Sequence, residues 1–435
     1  MEDAIKININ ELDDEDKLID IAKTLPDYND KNILELCSAL TDEKIAMILE
    51  QTDENSTNRI LTYLTDEKVI KIFSYMPKDD IVDILGWLPV GRAKKLIKSM
   101  KTGDQNDIET LLGYKEDCAG GLMTTEYISL YEKMTVGEAL QKIKSISPKT
   151  ELLDTLFITS DEKKLVGTVE LRDVLINDEK VNLDNLIDRE FKFVYPETDQ
   201  EKVAQMASKY DLNVIPVINK NKALLGIITI DDIVDVMEEE QTEDILKMGG
   251  VAKEETLDTS LKESVKLRFP WLFINLLTAF LASLTIKAFE STISQVVALS
   301  AIMSIVTGMG GNAGTQTISI IIRNIAIGNV RLKNVWKLIV KEIFLGLIDG
   351  ALIGLITGIV VALIYKNFYL GIIMLIAMIG NLVVAGISGI IVPITLDKFH
   401  IDPALSSSIF LTTATDVLGF YIFLSLAKLF LPLIV

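Results

Sequence analysis

The 435-residue sequence predicts a multidomain chain: an all-α solenoid, then an α/β tandem pair, then an α-helical five-span transmembrane domain. Three observations predict it. Helix-opening residues recur at near-twelve-residue spacing through 41–100, a segment near 163–175 returns at an offset of 59, and long apolar stretches fill the chain from Phe269 onward.

The rhythm comes first along the chain. "TDEKIAMILEQ", "TDENSTNRILTYL", "TDEKVIKIFSYM", "PKDDIVDILGWL" and "PVGRAKKLIKSM" open at Thr41, Thr52, Thr65, Pro77 and Pro89. Threonine at an N-cap with acids in the first turn, or proline at the start, is helix-opening chemistry, and apolar pairs follow at helical spacing. Units this short cannot bury their own apolar faces and must stack, so residues 1–120 are expected as a helical solenoid, an interaction or regulatory scaffold rather than a catalyst.

Residues 121–240 carry the duplication, with halves at about 121–180 and 181–240. "KKLVGTVELRDVL" matches "KALLGIITIDDIV", placing Gly167 over Gly226 and Asp173 over Asp232. The pattern of strand, helix, strand, glycine turn, strand, helix, given twice, predicts a compact α/β pair. Residues 241–268, containing "QTEDILKMGG", are expected as a connecting amphipathic helix.

From 269 to 435, apolar stretches long enough for a bilayer core of roughly 30 Å occur at about 269–289, 296–322, 335–365, 368–396 and 404–433. Lys262, Lys266 and Arg268 precede the first span, and Arg323, Arg331, Lys333 and Lys337 lie between the second and third. Both basic stretches belong on the cytoplasmic side. Five crossings then leave the N-terminus cytoplasmic and the C-terminus outside, in a multi-pass protein of the inner or plasma membrane. "MEDAIKININ" lacks the basic start and apolar core of a signal peptide.

Charge is segregated. Residues after 262 carry eleven Lys/Arg against seven Asp/Glu, and residues up to 262 carry 32 against 55, so the formal −19 comes wholly from the N-terminal part. Such a field repels nucleic acid and concentrates cations. Two cysteines (Cys37, Cys118) and the single His400 exclude a disulfide framework, a histidine zinc site and Ser-His-Asp hydrolysis. No enzyme activity is expected.

Two polar interruptions break the membrane part. "TGMGGNAGTQT" (307–317) puts four glycines, an Asn and a Gln inside the second span, and "TTATDVLG" puts Asp416 inside the fifth. Glycines alone serve helix packing, but Asn312 and Gln316 do not, and broken backbone beside polar side chains at depth suits a cavity or ion path. At ~1.5 Å per residue both interruptions fall about 17–20 Å from the cytoplasmic ends of their helices. Asp349 in the third span raises intramembrane aspartyl proteolysis, but "IDG" and "ATDVLG" lack the expected context, and a protease has no use for the soluble half. Glu342 beside Lys341 reads as an interfacial pair.

The repeat at 122–240 resembles a tandem pair of CBS modules. A CBS pair behind a helical solenoid and ahead of five spans, with "MGGNAGTQ" and "TATD" in the membrane, resembles the MgtE family of magnesium channels. That resemblance implies a homodimer in the lipid membrane that forms its pore along the two-fold axis from spans two and five, with Gly310, Gly311, Asn312 and Asp416 at the filter. Thr315, Gln316 and Ser319 complete the candidate pore set, although Thr315 stands where the family pattern has a second asparagine and Asp349 where it has an apolar residue.

The resemblance also implies regulatory Mg²⁺ at Asp211, Asp232, Asp235, Glu243 and Asp244, and the acidic clusters add Asp80, Asp83, Glu201 and Glu240. ATP bound to the CBS pair is a further regulatory ligand of this kind. The expected function is Mg²⁺-selective uptake, closed by cytoplasmic Mg²⁺ held between the acidic domains. The alternative is a CBS-regulated secondary transporter of another cation or solute, which inverted repeats among the spans would betray; five spans do not halve.

Overall fold

The computed structural model describes residues 15–145, 154–252, 255–256, 259–327, 335–399 and 401–434; "MEDAIKININ", Arg331, Lys333 and His400 lie outside the described residues. The chain forms two compact units, Met1–Met237 and Glu238–Val435.

The first unit opens with helices α1 Glu15–Thr24, α2 Asp30–Ala39, α3 Asp42–Glu50, α4 Glu54–Thr62, α5 Asp66–Phe73, α6 Lys78–Trp87, α7 Val90–Ser99 and α8 Thr102–Leu111. The caps of α2 to α8 are Asn29, Thr41, Asp53, Thr65, Pro77, Pro89 and Lys101, an even twelve-residue ladder. The expected start at Thr52 is corrected by one residue. Asp53 accepts from the Ser56 amide at 3.0 Å, whereas the Thr52 hydroxyl turns back to the Ile48 carbonyl and closes the preceding helix. A carboxylate reaches the free amides of a first turn and also complements the helix dipole.

Each helix packs on the next but one, α1 on α3 through α6 on α8, which builds a two-layered stack. Side-chain ties between helices repeat as well: Arg59 donates to the Tyr28 carbonyl at 2.5 Å and Arg92 to the Leu61 carbonyl at 2.8 Å. This is the solenoid that short, one-faced helices require.

After the short α9 (Ala119–Leu122), the first α/β module runs β1 Ser129–Tyr131, α10 Val136–Ser145, β2 Thr155–Thr159, β3 Leu165–Glu170 and α11 Leu171–Ile176. β1 pairs parallel with β2, and β2 antiparallel with β3. The second module repeats the order with α12 Gln200–Tyr210, β4 Val214–Ile218, β5 Leu224–Thr229 and α13 Ile230–Met248, β4 and β5 being antiparallel. Its leading strand shrinks to a single bridge between Val194 and Val217.

The expected glycine turn is also corrected. Gly167 and Gly226 lie inside β3 and β5, and the turns are made by Lys163 (φ 59°) and Lys222 (φ 62°), themselves 59 residues apart. The duplication therefore extends to a left-handed backbone position, a conformation uncommon for lysine.

One core joins the solenoid to the second module through Val203, Ile215, Val217, Ile228 and Ile233. A separate core fills the first module, and a third, with Phe157, Leu165, Ile218 and Ile227, lies between the modules.

The second unit contains α14 Leu261–Ala288, α15 Glu290–Gln295, α16 Ala298–Ala326, α17 Val335–Tyr365, α18 Phe368–Lys398, α19 Pro403–Leu429 and α20 Leu431–Ile434. The connector expected as one amphipathic helix over 241–268 is divided instead. α13 ends at Met248, Gly250 takes φ +75°, and the next helix starts at Leu261. Paired glycines after a helix end supply the left-handed residue that stops it.

Among the described residues four helical stretches are long and apolar enough to cross a membrane: Leu261–Ala288, Val335–Tyr365, Phe368–Lys398 and Ser408–Leu429. α16, counted above as the second of five spans, has the length at 29 residues but is diluted by its polar middle. That middle is not broken: α16 is helical throughout, which corrects the expected interruption of backbone at 307–317. Glycine costs only about 1 kcal/mol per residue in a helix, and tertiary packing offsets it here.

A candidate ion pathway and its acidic surroundings

The glycines of α16 divide between two faces. Gly310 and Gly314 are buried: a side chain at Gly310 would collide with Asn381 of α18, and one at Gly314 with Leu411 of α19. A side chain at Gly308 or Gly311 would meet nothing within 4 Å among the described residues. On that open side lie Asn312, Thr315 and Gln316, all exposed, with Ser319 half-buried one turn on. The Thr315 hydroxyl donates to the Gly311 carbonyl and that of Ser319 to the Thr315 carbonyl, both at 2.9 Å. Asn312 and Gln316 make no hydrogen bond among the described residues, so their amides remain available to a ligand.

α19 runs antiparallel to α16, and its contacts fix the register. Gly314 meets Leu411, while Gly310 and Gly419 both press on Asn381. Asp416 lies between Leu411 and Gly419, level with 310–314. It is half-buried and has no ion pair or hydrogen bond among the described residues. The two polar interruptions thus come together at one height within a single chain. Asp349 does not join them: it is exposed on α17, on the side away from Gly346, Gly350, Gly354 and Gly358, which pack tightly against α18. It shares no hydrogen bond with Asp416, so no aspartyl dyad forms among the described residues.

Asn381 was missed in the sequence although it bears the same signature, a polar side chain beside a glycine in "MIGNLVV". It is fully buried and donates from Nδ2 to the Val306 carbonyl at 2.7 Å. Glu342 also differs from expectation. Its Oε2 accepts from Thr317 of α16 at 2.9 Å and packs on Gly386 of α18. Residues one apart on a helix do not face each other, which is why Lys341 is not its partner.

The acidic candidates fall into three groups. In the first unit, Asp80 on α6 lies within electrostatic reach of Glu50, Asp79, Asp83 and Asp232; burial first, and then those carboxylates, push its pKa up to about 9. Asp232 opens α13, accepting from the Thr229 hydroxyl at 2.6 Å. Burial raises it to about 6 against the lowering effect of that bond, with Asp231 and Asp235 adding to the rise.

Glu201 and Asp211 form no cluster: they stand at opposite ends of α12, about 15 Å apart by helical rise. Asp211 serves as the left-handed C-cap, and Glu201 accepts from Gln205 at 3.1 Å.

In the second unit, Glu240, Glu243 and Asp244 share one side of α13. Lys247 pairs there with Glu243 and, at 2.5 Å, with Asp402 at the cap of α19. Asp244 is raised to about 6, chiefly by burial and then by Asp402 and Glu240. No group of three or more His, Cys, Asp or Glu that could hold a metal ion occurs among the described residues.

Three family models match the chain in the order of these parts: the MgtE intracellular N domain over 16–117, the CBS domain over 119–179 and 183–239, and the divalent cation transporter model MgtE over 303–426. The magnesium transporter MgtE of Enterococcus faecalis is 33% identical over 328 residues, covering 75% of this chain and 72% of that protein. The protein of the same name from Bacillus subtilis is 32% identical over 340 residues, covering 77% and 74%. Among solved structures, the cytosolic domain of the Mg²⁺ channel MgtE in complex with ATP aligns with a TM-score of 0.50 at 26% identity, covering 52% of this chain and 93% of that one. By the order of its parts and by identity along most of its length, this chain belongs to the MgtE family of divalent cation transporters.

Proposed function

We propose that this chain transports Mg²⁺ across the cell membrane as a homodimeric channel, without catalysis, and that cytoplasmic Mg²⁺ closes it. The observation that carries the proposal is Asp416: a carboxylate inside a 27-residue helix, without a cationic partner among the described residues, level with the open Gly311–Asn312–Thr315–Gln316 face of α16. A lone acid at that depth costs several kcal/mol unless water or a cation accompanies it. Mg²⁺ dehydrates reluctantly and keeps several waters, so one carboxylate per subunit with carbonyl, amide and hydroxyl oxygens suits it. The relatives named as magnesium transporters support the choice of ion.

In this proposal all five long helices cross the membrane, α16 included, with the N-terminus cytoplasmic and the C-terminus outside. Domain limits follow the parts predicted from sequence: solenoid to about 120, CBS pair to about 240, connector to 268, pore domain beyond.

Regulation rests on the acids. Asp80 of the solenoid lies within electrostatic reach of Asp232 of the second module, with Asp83 beside the first and Asp235 beside the second; ionised, these acids repel, and a divalent ion reverses the sign. Glu240, Glu243 and Asp244 play the same part near Asp402. Glu201 and Asp211, separated along α12, would each serve only with ligands from elsewhere.

ATP is proposed as a regulatory ligand because the solved relative holds it. The core between the modules, with Tyr127, Phe191 and Phe193 packed against it, offers aromatic surface suited to an adenine ring. Mg²⁺ flux into proteoliposomes, compared with Ca²⁺ and Mn²⁺, tests transport. Absence of flux in the wild type at low internal Mg²⁺, or driven uptake of another solute, would replace this proposal with the secondary-transporter alternative.

A further inference from the structure

Asn381 is the one fully buried amide at the crossing of α16, α18 and α19 among the described residues. Its Nδ2 donates to the Val306 carbonyl of α16 at 2.7 Å. That carbonyl lies one turn before Gly310, and only a glycine at 310 lets the amide come so close. On the other side its Oδ1 lies against Gly419 of α19, where a side chain would also collide, and this oxygen has no hydrogen-bond partner among the described residues. Two glycines on two helices therefore clamp one amide on a third.

The clamp adjoins the ion-facing groups without belonging to them. Gly311 and Asn312 follow Gly310 directly on α16, and Asp416 precedes Gly419 by one turn on α19. We infer that Asn381 is a positioning residue: it fixes the register and rotation of α16 against α19 and so sets the distance between the Asn312 face and Asp416. An apolar residue could fill the volume but could not choose the height, because dispersion packing is non-directional whereas an amide seeks one carbonyl. A site that holds an ion through its water shell tolerates little slack. The buried Oδ1 adds to the case, since a buried acceptor left unpaired is retained against a cost.

This inference rests on α16 and α19 forming the pathway. The test uses full-length protein in proteoliposomes, with Mg²⁺, Ca²⁺ and Mn²⁺ as the probes. Asn381→Leu keeps the volume and removes the amide. The expected result is an apparent KM for Mg²⁺ raised, or Mg²⁺ preference over Ca²⁺ reduced, by about tenfold, with maximal flux per folded dimer within roughly threefold of wild type. Met378→Ala, equally buried on α18 but facing α17, serves as the control; it should lower stability without moving KM or preference.

If Asn381→Leu does not fold, Gly419→Ala displaces the same amide from the other side and should show the same loss of preference. Asn381→Leu, or Gly419→Ala in its place, behaving like the control overturns the inference. Should wild type and Asp416→Ala conduct alike, the pathway itself is wrong; should Asp416→Ala be dead and Asn381→Leu keep wild-type KM and preference, the pathway stands and only Asn381's role fails.

Discussion

Lys247 Nζ lies 2.5 Å from Asp402 Oδ2, tying the last turn of α13 to the first turn of α19. The same ammonium pairs with Glu243, so a fixed cation already sits among carboxylates proposed to bind Mg²⁺. Removing it leaves like charges facing one another, and a divalent ion then has to supply what the lysine did. In Lys247→Met, protease cleavage within 249–260 should rise in EDTA and be suppressed by Mg²⁺, with a steeper dependence on the ion than in wild type. Cleavage indifferent to both Lys247 and Mg²⁺ would mean that the acids are only solvated surface.

The pH dependence of the first unit follows from Asp80, raised to about 9, and Asp232, raised to about 6. Both folded-state values exceed the ordinary aspartate value of 3.8, so the folded form holds more protons than the unfolded chain. Stability should therefore be greatest in acid and fall as pH rises from about 4 toward 9, the Asp232 share disappearing by about pH 6 and the Asp80 share continuing above it. Melting of the detergent-solubilised protein, followed by proteolysis of the 1–237 unit in EDTA, checks this. Asp80→Asn should flatten the alkaline limb, and added Mg²⁺ should flatten it in the wild type.

The two faces of α16 predict opposite outcomes for one substitution. At Gly314 an alanine presses into Leu411 and should cost about 1–3 kcal/mol of stability. At Gly311 the same alanine meets nothing and should leave stability unchanged or slightly raised. Gly311→Val should nevertheless block Mg²⁺ flux in the assembled protein. Normal conductance in a folded Gly311→Val protein would leave the glycines with packing alone.

Asp416→Ala should abolish Mg²⁺ flux with dimerisation and melting retained, because no hydrogen bond or ion pair of Asp416 is lost among the described residues. Triple neutralisation of Asp232, Asp235 and Glu243 should instead leave conduction intact and remove closure by internal Mg²⁺. Patch recordings against internal Mg²⁺ separate the two effects. A triple variant that closes at the wild-type concentration would remove the acids from the gating scheme.

The sequence alone determined the kinds of element and their order. Twelve-residue capping chemistry, a 59-residue duplication and apolar length act locally, through hydrogen bonds within a turn or through transfer from water, and so can be read from a linear string. The same locality shows in the one-residue correction from Thr52 to Asp53, where two adjacent oxygen-bearing side chains compete for one cap.

Tertiary structure decided what the polar groups in the membrane do. A glycine in a span is compatible with a break, with packing or with an open face, and only the neighbouring helices separate Gly310 and Gly314, pressed on Asn381 and Leu411, from Gly308 and Gly311, which have no described atom within 4 Å of where a side chain would start. Asn381 escaped notice for the same reason: its partners, Val306 and Gly419, lie 75 residues before it and 38 after it. Close approach of backbones is a property of pairs of helices, and a chain states it only once it has folded.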